Sequence, residues 1–289
     1  MTTATISQPR TVSQGSVTAP RLSFGGVVRS EWIKALSLRS IRWSLIVSVA
    51  LGVAMSLAMA FALRSLVSDQ PSDGYAGFVA TVTSFPASFL ALVFGVLGVF
   101  VFSSEYASGM VLSTLTAAPR RGLVIAAKAV ILTLMSVVVA AIVLAAGVAI
   151  SIAVLPESAA SVVTTQILTS LLGTVVFLLS IALFAFAVAG IVRSTAGGIT
   201  IVVGLIFLLP MVLQIVTQVA DWSWAQLAMN YLPTSLGSVV GQGVFDGPTG
   251  MMESTVRVPG YGEAMAALVL WALVPLVGAT RLFLSRDAR

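Results

Sequence analysis

The sequence predicts an all-α integral membrane protein with six spanning helices, and three observations carry that expectation. Only 9% of the 289 residues are charged while 58% are hydrophobic, whereas soluble domains carry about 25% charged residues. The mean hydropathy is +1.07. Six segments stay apolar for about 20 residues, the length a helix rising ~1.5 Å per residue needs to cross a hydrocarbon core ~30 Å thick.

The six segments cover residues 43–63, 82–102, 129–155, 167–192, 196–219 and 264–284. Each is continuously apolar rather than alternating, which selects helices over a β-barrel. None contains Asp, Glu or Lys, and the only Arg is Arg281, near the end of the last one. Orientation follows from the cations. With the N-terminus in the cytoplasm, 13 of the 15 Lys and Arg residues fall on the inner side, leaving Arg64 and Arg257 outside. The positive-inside rule therefore predicts cytoplasmic termini and a cytoplasmic loop over 103–128. Trp32, Trp43 and Tyr106 then stand near the inner face, and Tyr75, Trp222, Trp224, Tyr231 and Tyr261 near the outer, where aromatic belts are expected.

Residues 1–23 are rich in Ser, Thr and Gln, with no apolar run before residue 43, so a disordered cytoplasmic tail without a cleaved signal peptide is expected. Over 24–40, Val27, Val28, Trp32, Ala35, Leu36 and Leu38 interleave with Arg29, Glu31, Lys34 and Arg39 at helical spacing. That pattern predicts an amphipathic helix in the inner headgroup layer, apolar side in the acyl boundary and basic side on anionic lipid. The alternative is an extension of the first span. In either case Arg39 and Arg42 anchor the chain at the membrane surface. Residues 41–289 form the transmembrane domain, with a long outer loop over 220–263 whose LAMNYLPTSLGSVVGQG stretch is either a re-entrant segment or a folded outer loop.

Several chemistries are excluded by missing parts. The chain has no Cys and no His, which removes disulfides, thiolate nucleophiles, HExxH zinc sites and Cys-based metal sites. The net charge of +5 comes from cations scattered at the ends of apolar runs, so a nucleic-acid surface is not expected. No phosphate-binding G-x-x-x-x-G-K-[ST] sequence occurs. The spans hold no midplane carboxylate for ion coupling or intramembrane proteolysis. Their strongest polar groups are hydroxyls such as Thr133, Ser136, Thr174, Ser180 and Thr200, and the amides Gln214 and Gln218. The hydroxyls are expected to bond helix backbone. The two amides share a face at i, i+4, so that face is expected to meet another helix, another subunit or a passageway. With the kink expected at Pro210, they are the candidate substrate pathway.

The 103–128 loop concentrates charge, Pro and Gly. Glu105 and Tyr106 mark the exit from the second span, Gly109 breaks the regularity, and a short apolar stretch with Met110, Val111, Leu112 and Leu115 closes at Pro119-Arg120-Arg121-Gly122. A short helix of that kind can press its apolar side into a groove on a soluble partner. An ordinary connecting loop with positive-inside arginines is the other reading.

The E-x-x-x-G pattern at Glu105 and Gly109, the short apolar stretch, Pro119-Arg120-Arg121 and Lys128 at the next span resemble the membrane subunits of ABC-2-type ABC transporters, the small six-helix permeases of actinobacteria in particular. The opening RSEWIKALSLRSIRW resembles theirs too. The resemblance implies that Ser30, Glu31, Trp32 and Lys34 belong to a connecting helix. It implies that Glu105, Tyr106, Gly109, Leu112, Leu115, Pro119, Arg120 and Arg121 belong to a coupling helix seated on an ATPase. Met110 departs from the family pattern, where a Thr follows the Gly. The implied protein is a non-catalytic permease subunit, an exporter, working with two copies of a separate ATPase that binds ATP and Mg, and with a second permease copy as homodimer or heterodimer. The runner-up functions are a membrane scaffold that recruits a cytoplasmic partner, and an ATP-independent channel or carrier.

Overall fold

In a computed structural model, the described residues are 23–67, 74–107, 121–220, 222–244 and 257–285. Nearly all of them are helical, with no strand among them, and six helices are long and apolar enough to cross a membrane. The protein is therefore a multi-pass helical membrane protein. A short helix α1 (Phe24–Ser37) precedes the first spanning helix α2 (Arg39–Val67), followed by α3 (Gly74–Ala107) and α4 (Arg121–Val154). A 3-10 turn over Pro156–Ser161 leads to α5 (Thr165–Val192). The fifth span is α6 (Thr195–Val203), a π-turn (Gly204–Leu208) and α7 (Leu209–Ala220). Two short helices, α8 (Ser223–Asn230) and α9 (Pro233–Gln242), precede the last span, α10 (Tyr261–Ser285).

The helices overrun the apolar segments that announce them. α3 begins at Gly74 instead of residue 82, and α4 at Arg121 instead of 129. Hydropathy ends where polar residues begin, but Thr, Arg and Lys continue a helix readily into the headgroup layer. The loop expected over 103–128 is consequently shorter, and Lys128 sits two turns inside α4.

Packing follows residue size. α2 buries Ser48, Gly52, Ser56 and Ala60, four residues apart and therefore on one face. Ser56 Oγ donates to Val82 O of α3 at 3.1 Å. A Cβ on Gly147 of α4 would stand 3.2 Å from Thr83 Cγ2 and 3.3 Å from Ser56 Oγ, so three backbones meet at small residues, as lipid-embedded helices require. α5 is apolar on all sides and lies at the centre against α3 and α10. Its own Phe177, Leu178, Ile181 and Phe186 are fully buried there, as is Phe94 of α3.

The kink expected at Pro210 takes the form of the π-turn one turn earlier. Proline has no N–H and its ring crowds the carbonyl four residues back. The helix widens there, and the Leu209 N–H reaches Gly204 O.

α8 and α9 form a hairpin that folds back among the spans. Ala225 and Leu232 bury against Leu213 of α7, and Trp271 Nε1 of α10 donates to Tyr231 O at 3.0 Å. α9 then runs antiparallel to α5: Gly237 meets the Phe177 ring, Val240 meets Gly173, and Gln166 Nε2 donates to Gln242 O at 3.2 Å. Phe177 lies about 18 Å along α5 from Thr165, so the hairpin reaches about midway down a span and returns to the side it came from. Gly243, at φ +74°, makes the exit. The Thr169 hydroxyl secures it by accepting from Val244 N at 2.8 Å, and Tyr261 OH donates to Thr169 O at 2.8 Å. Tyr231 and Tyr261, expected in an outer aromatic belt, are thus tied into this hairpin, whereas Trp222 and Trp224 stack on each other and are exposed.

Candidate functional site

At the end of the bundle where α1 begins and α10 ends, Glu31 of the first sequence motif meets Lys128 of the second. Ser23 caps α1 by accepting from the Gly26 N–H at 3.2 Å, and Leu38, in an extended conformation, separates α1 from α2. α1 packs chiefly on α4. The face it buries carries Glu31 and Ala35, against an α4 surface where Val124, Ile125 and Lys128 are buried. Trp32, Ile33 and Leu36 point outward. The predicted amphipathic helix is therefore turned so that its acid faces the protein together with Ala35 and the partly buried Val28 and Leu38, while Trp32 and Leu36 of the apolar stripe face away.

Glu31 divides its carboxylate between two ammonium groups. Oε2 accepts from Lys128 Nζ at 2.6 Å and Oε1 from Lys34 Nζ at 2.9 Å. The Glu31 and Lys128 side chains are 5% and 8% exposed, and that of Lys34 is 34% exposed. A charge so poorly hydrated is tolerable only when it is paired and hydrogen-bonded, so the two long side chains lock α1 onto the second turn of α4. Position 128 is 97 residues from position 31.

The end of α3 is held by different means. Phe102 sits edge-on between Phe186 of α5, with ring centroids 5.2 Å apart, and Phe283 of α10, at 6.1 Å. Gly190 leaves room for that ring, since a Cβ there would stand 3.3 Å from it. Ser103 is fully buried and its Oγ accepts from Thr195 Oγ1 of α6 at 2.9 Å. Between α5 and α6 the connection is only Arg193, in the left-handed region at φ 55°, and Ser194, which accepts from the Gly197 N–H at 3.2 Å. The end of α3 is thus fastened to α5, α6 and α10, and the start of α4 to α1.

Of the predicted coupling residues, Gly109, Leu112, Leu115, Pro119 and Arg120 lie outside the described residues, as do Met110 and the side chains of Glu105, Tyr106 and Arg121. The predicted tail over 1–23 lies outside them too, apart from Ser23, which caps α1. Glu31, Trp32 and Lys34 share one helix, but only Glu31 is buried.

The candidate pathway residues do not come together inside this chain. Gln214 and Gln218 are both exposed on α7, on the fifth span, of which 17% of the apolar window is buried. Of the surroundings expected for this amide face, another helix, another subunit or a passageway, no helix among the described residues covers it, and it faces outward. Pro210 is half-buried beside the π-turn. Among the hydroxyls, Thr174 and Thr200 donate to the carbonyl four residues back, at 2.8 and 2.9 Å. Ser136 Oγ is buried with no hydrogen-bond partner among the described residues.

No group of three or more His, Cys, Asp or Glu residues forms a metal-binding cluster among the described residues. Two features escape sequence reasoning: the partnership of Lys128 with Glu31, since hydropathy leaves Lys128 just outside the third apolar segment, and the glycine face of α9, where Gly237 and Gly241 stand four residues apart. The chain matches no protein-family model, and no curated protein matches it.

Proposed function

We propose that this chain is the membrane-spanning subunit of an ABC-2-type ATP-binding cassette exporter of the cell membrane, driven by a separate ATPase, with both termini in the cytoplasm. The observation that carries the reading is the buried Glu31–Lys128 pair. The two motifs that resemble such permeases lie far apart in sequence, and this pair joins the acid of the first to the lysine that closes the second. An ATPase engaged at 108–120 would act on a segment bounded by an α3 end and an α4 start that are both anchored in the bundle. Its movement would be delivered to α1 and α4 together, because the ion pair ties them. ATP and Mg are held by that partner, in two copies, and a second permease copy completes the assembly. The lack of a phosphate-binding loop and of charged residues in the span interiors supports an energy source on another polypeptide.

Affinity purification of the full-length chain from its native membrane tests this. A soluble ATPase carrying a phosphate-binding loop is expected to co-purify, with vanadate-sensitive ATP hydrolysis. Glu105→Ala, or Arg120→Ala with Arg121→Ala, is expected to release it while the chain stays folded. Transport that persists with no ATPase bound and resists vanadate would sink the proposal.

A further inference from the structure

We propose that the start of α2 forms a headgroup site for an anionic glycerophospholipid, built from Arg39, Arg42, Trp43 and Ile46. These residues line a cavity of about 260 Å³. They stand at i, i+3, i+4 and i+7, hence on one helix face. Ile41, 1% exposed, and Ser48 mark the opposite, buried face, so the cavity opens away from the bundle.

Three properties select the ligand. First, both guanidinium groups are exposed, and among the described residues neither pairs with a carboxylate. Two forked cations one turn apart suit a phosphate diester, which accepts two parallel N–H bonds from each. Second, the same cavity is walled by Trp43 and Ile46, 64% and 57% exposed. A water-soluble anion gains nothing from that wall, whereas a lipid lays its glycerol and upper acyl carbons on it. Third, no described carboxylate lines the cavity to receive an ammonium or choline group, so a zwitterionic headgroup would bring its cation towards two others. Position agrees with chemistry, because the arginines immediately precede the first apolar run, which begins at Trp43. α1 leads into this corner and exposes Phe24, Trp32, Ile33 and Leu36, an apolar surface for the same acyl layer. The site needs only a membrane-spanning α2, so it stands whichever way the chain lies and whatever it transports.

The test is native mass spectrometry of the purified full-length chain titrated with phosphatidylglycerol, phosphatidylcholine or inorganic phosphate. Phosphatidylglycerol is expected to occupy one saturable site, with phosphatidylcholine binding only weakly and non-specifically. Affinity is expected to fall about fivefold for each arginine removed as Arg39→Gln or Arg42→Gln, while Arg281→Gln, which removes an exposed cation at the same end of the bundle, leaves it unchanged. Arg39→Lys and Arg42→Lys keep the charge and lose the fork, and a clear loss in them reports geometry even if a Gln variant does not fold. An equal loss in Arg281→Gln would mean diffuse charge attraction and overturn the site. Displacement of phosphatidylglycerol by millimolar phosphate would overturn the lipid assignment, as would equal affinity for phosphatidylcholine.

Discussion

Without the Glu31 carboxylate, the Lys128 ammonium loses the oxygen 2.6 Å away in a site where its side chain is only 8% exposed. Removing one partner of a buried pair costs about 3–5 kcal/mol, whereas replacing both with apolar groups of similar volume is often neutral. Glu31→Ala is therefore expected to destabilise the detergent-solubilised chain by about 3 kcal/mol. Glu31→Leu combined with Lys128→Met should recover most of that. Lys34 is 34% exposed, and Lys34→Ala should cost less than about 1 kcal/mol. Thermal unfolding of the four proteins checks the order, and equal losses for Glu31→Ala and Lys34→Ala would show that the Lys128 contact contributes nothing. The acid on an amphipathic helix was legible in the sequence. Its burial was not, since helical periodicity shows which residues share a face and says nothing of what that face meets.

Among the elements, the α8–α9 hairpin depends most on side-chain size. A Cβ on Gly237 would stand 2.6 Å from the Phe177 ring, and one on Gly173 would stand 2.6 Å from Val240. Overpacking of this kind costs about 1–3 kcal/mol. Gly237→Ala should therefore lower stability by about 2 kcal/mol, and Phe177→Leu added to it should restore part of the loss by clearing ring atoms. Limited proteolysis localises the effect, because cleavage between α7 and α10 should rise first. On α2, Gly52→Leu should be rescued in part by Val143→Ala, since Val143 is what a side chain at 52 would strike. The breaks at Pro233, Gly237, Gly241 and Gly243 were legible as irregularities in an apolar loop. The depth of the hairpin was not, because it is set by where α5 and α10 leave room between them.

Over the whole molecule, the outward faces carry most of what the bundle leaves for other molecules. The α6–α7 span exposes Phe207, Leu208, Met211, Val212 and Ile215 along with Gln214 and Gln218. Gln214→Leu with Gln218→Leu is expected to leave the isolated chain's stability within about 0.5 kcal/mol, as exposed substitutions do. A loss of transport in that variant, with folding intact, would assign the pair to the pathway or to a second copy. Orientation is checkable because the chain has no Cys. Cysteine placed by Ser254→Cys should react with an impermeant reagent on intact cells and by Ser113→Cys should not, and the reverse labelling would invert the topology. The sequence by itself determined the class, the six spans and the asymmetry of charge between the two sides, because transfer into lipid depends on composition summed along each segment. Tertiary structure decided which residues were removed from solvent: Glu31 onto Lys128, Phe102 between Phe186 and Phe283, α9 into the middle of the bundle, and Gln214 and Gln218 onto its outside. In lipid the apolar side chains of every helix are equally at home inside or out, so the choice of buried face falls to small residues and a few polar pairs whose partners lie far along the chain.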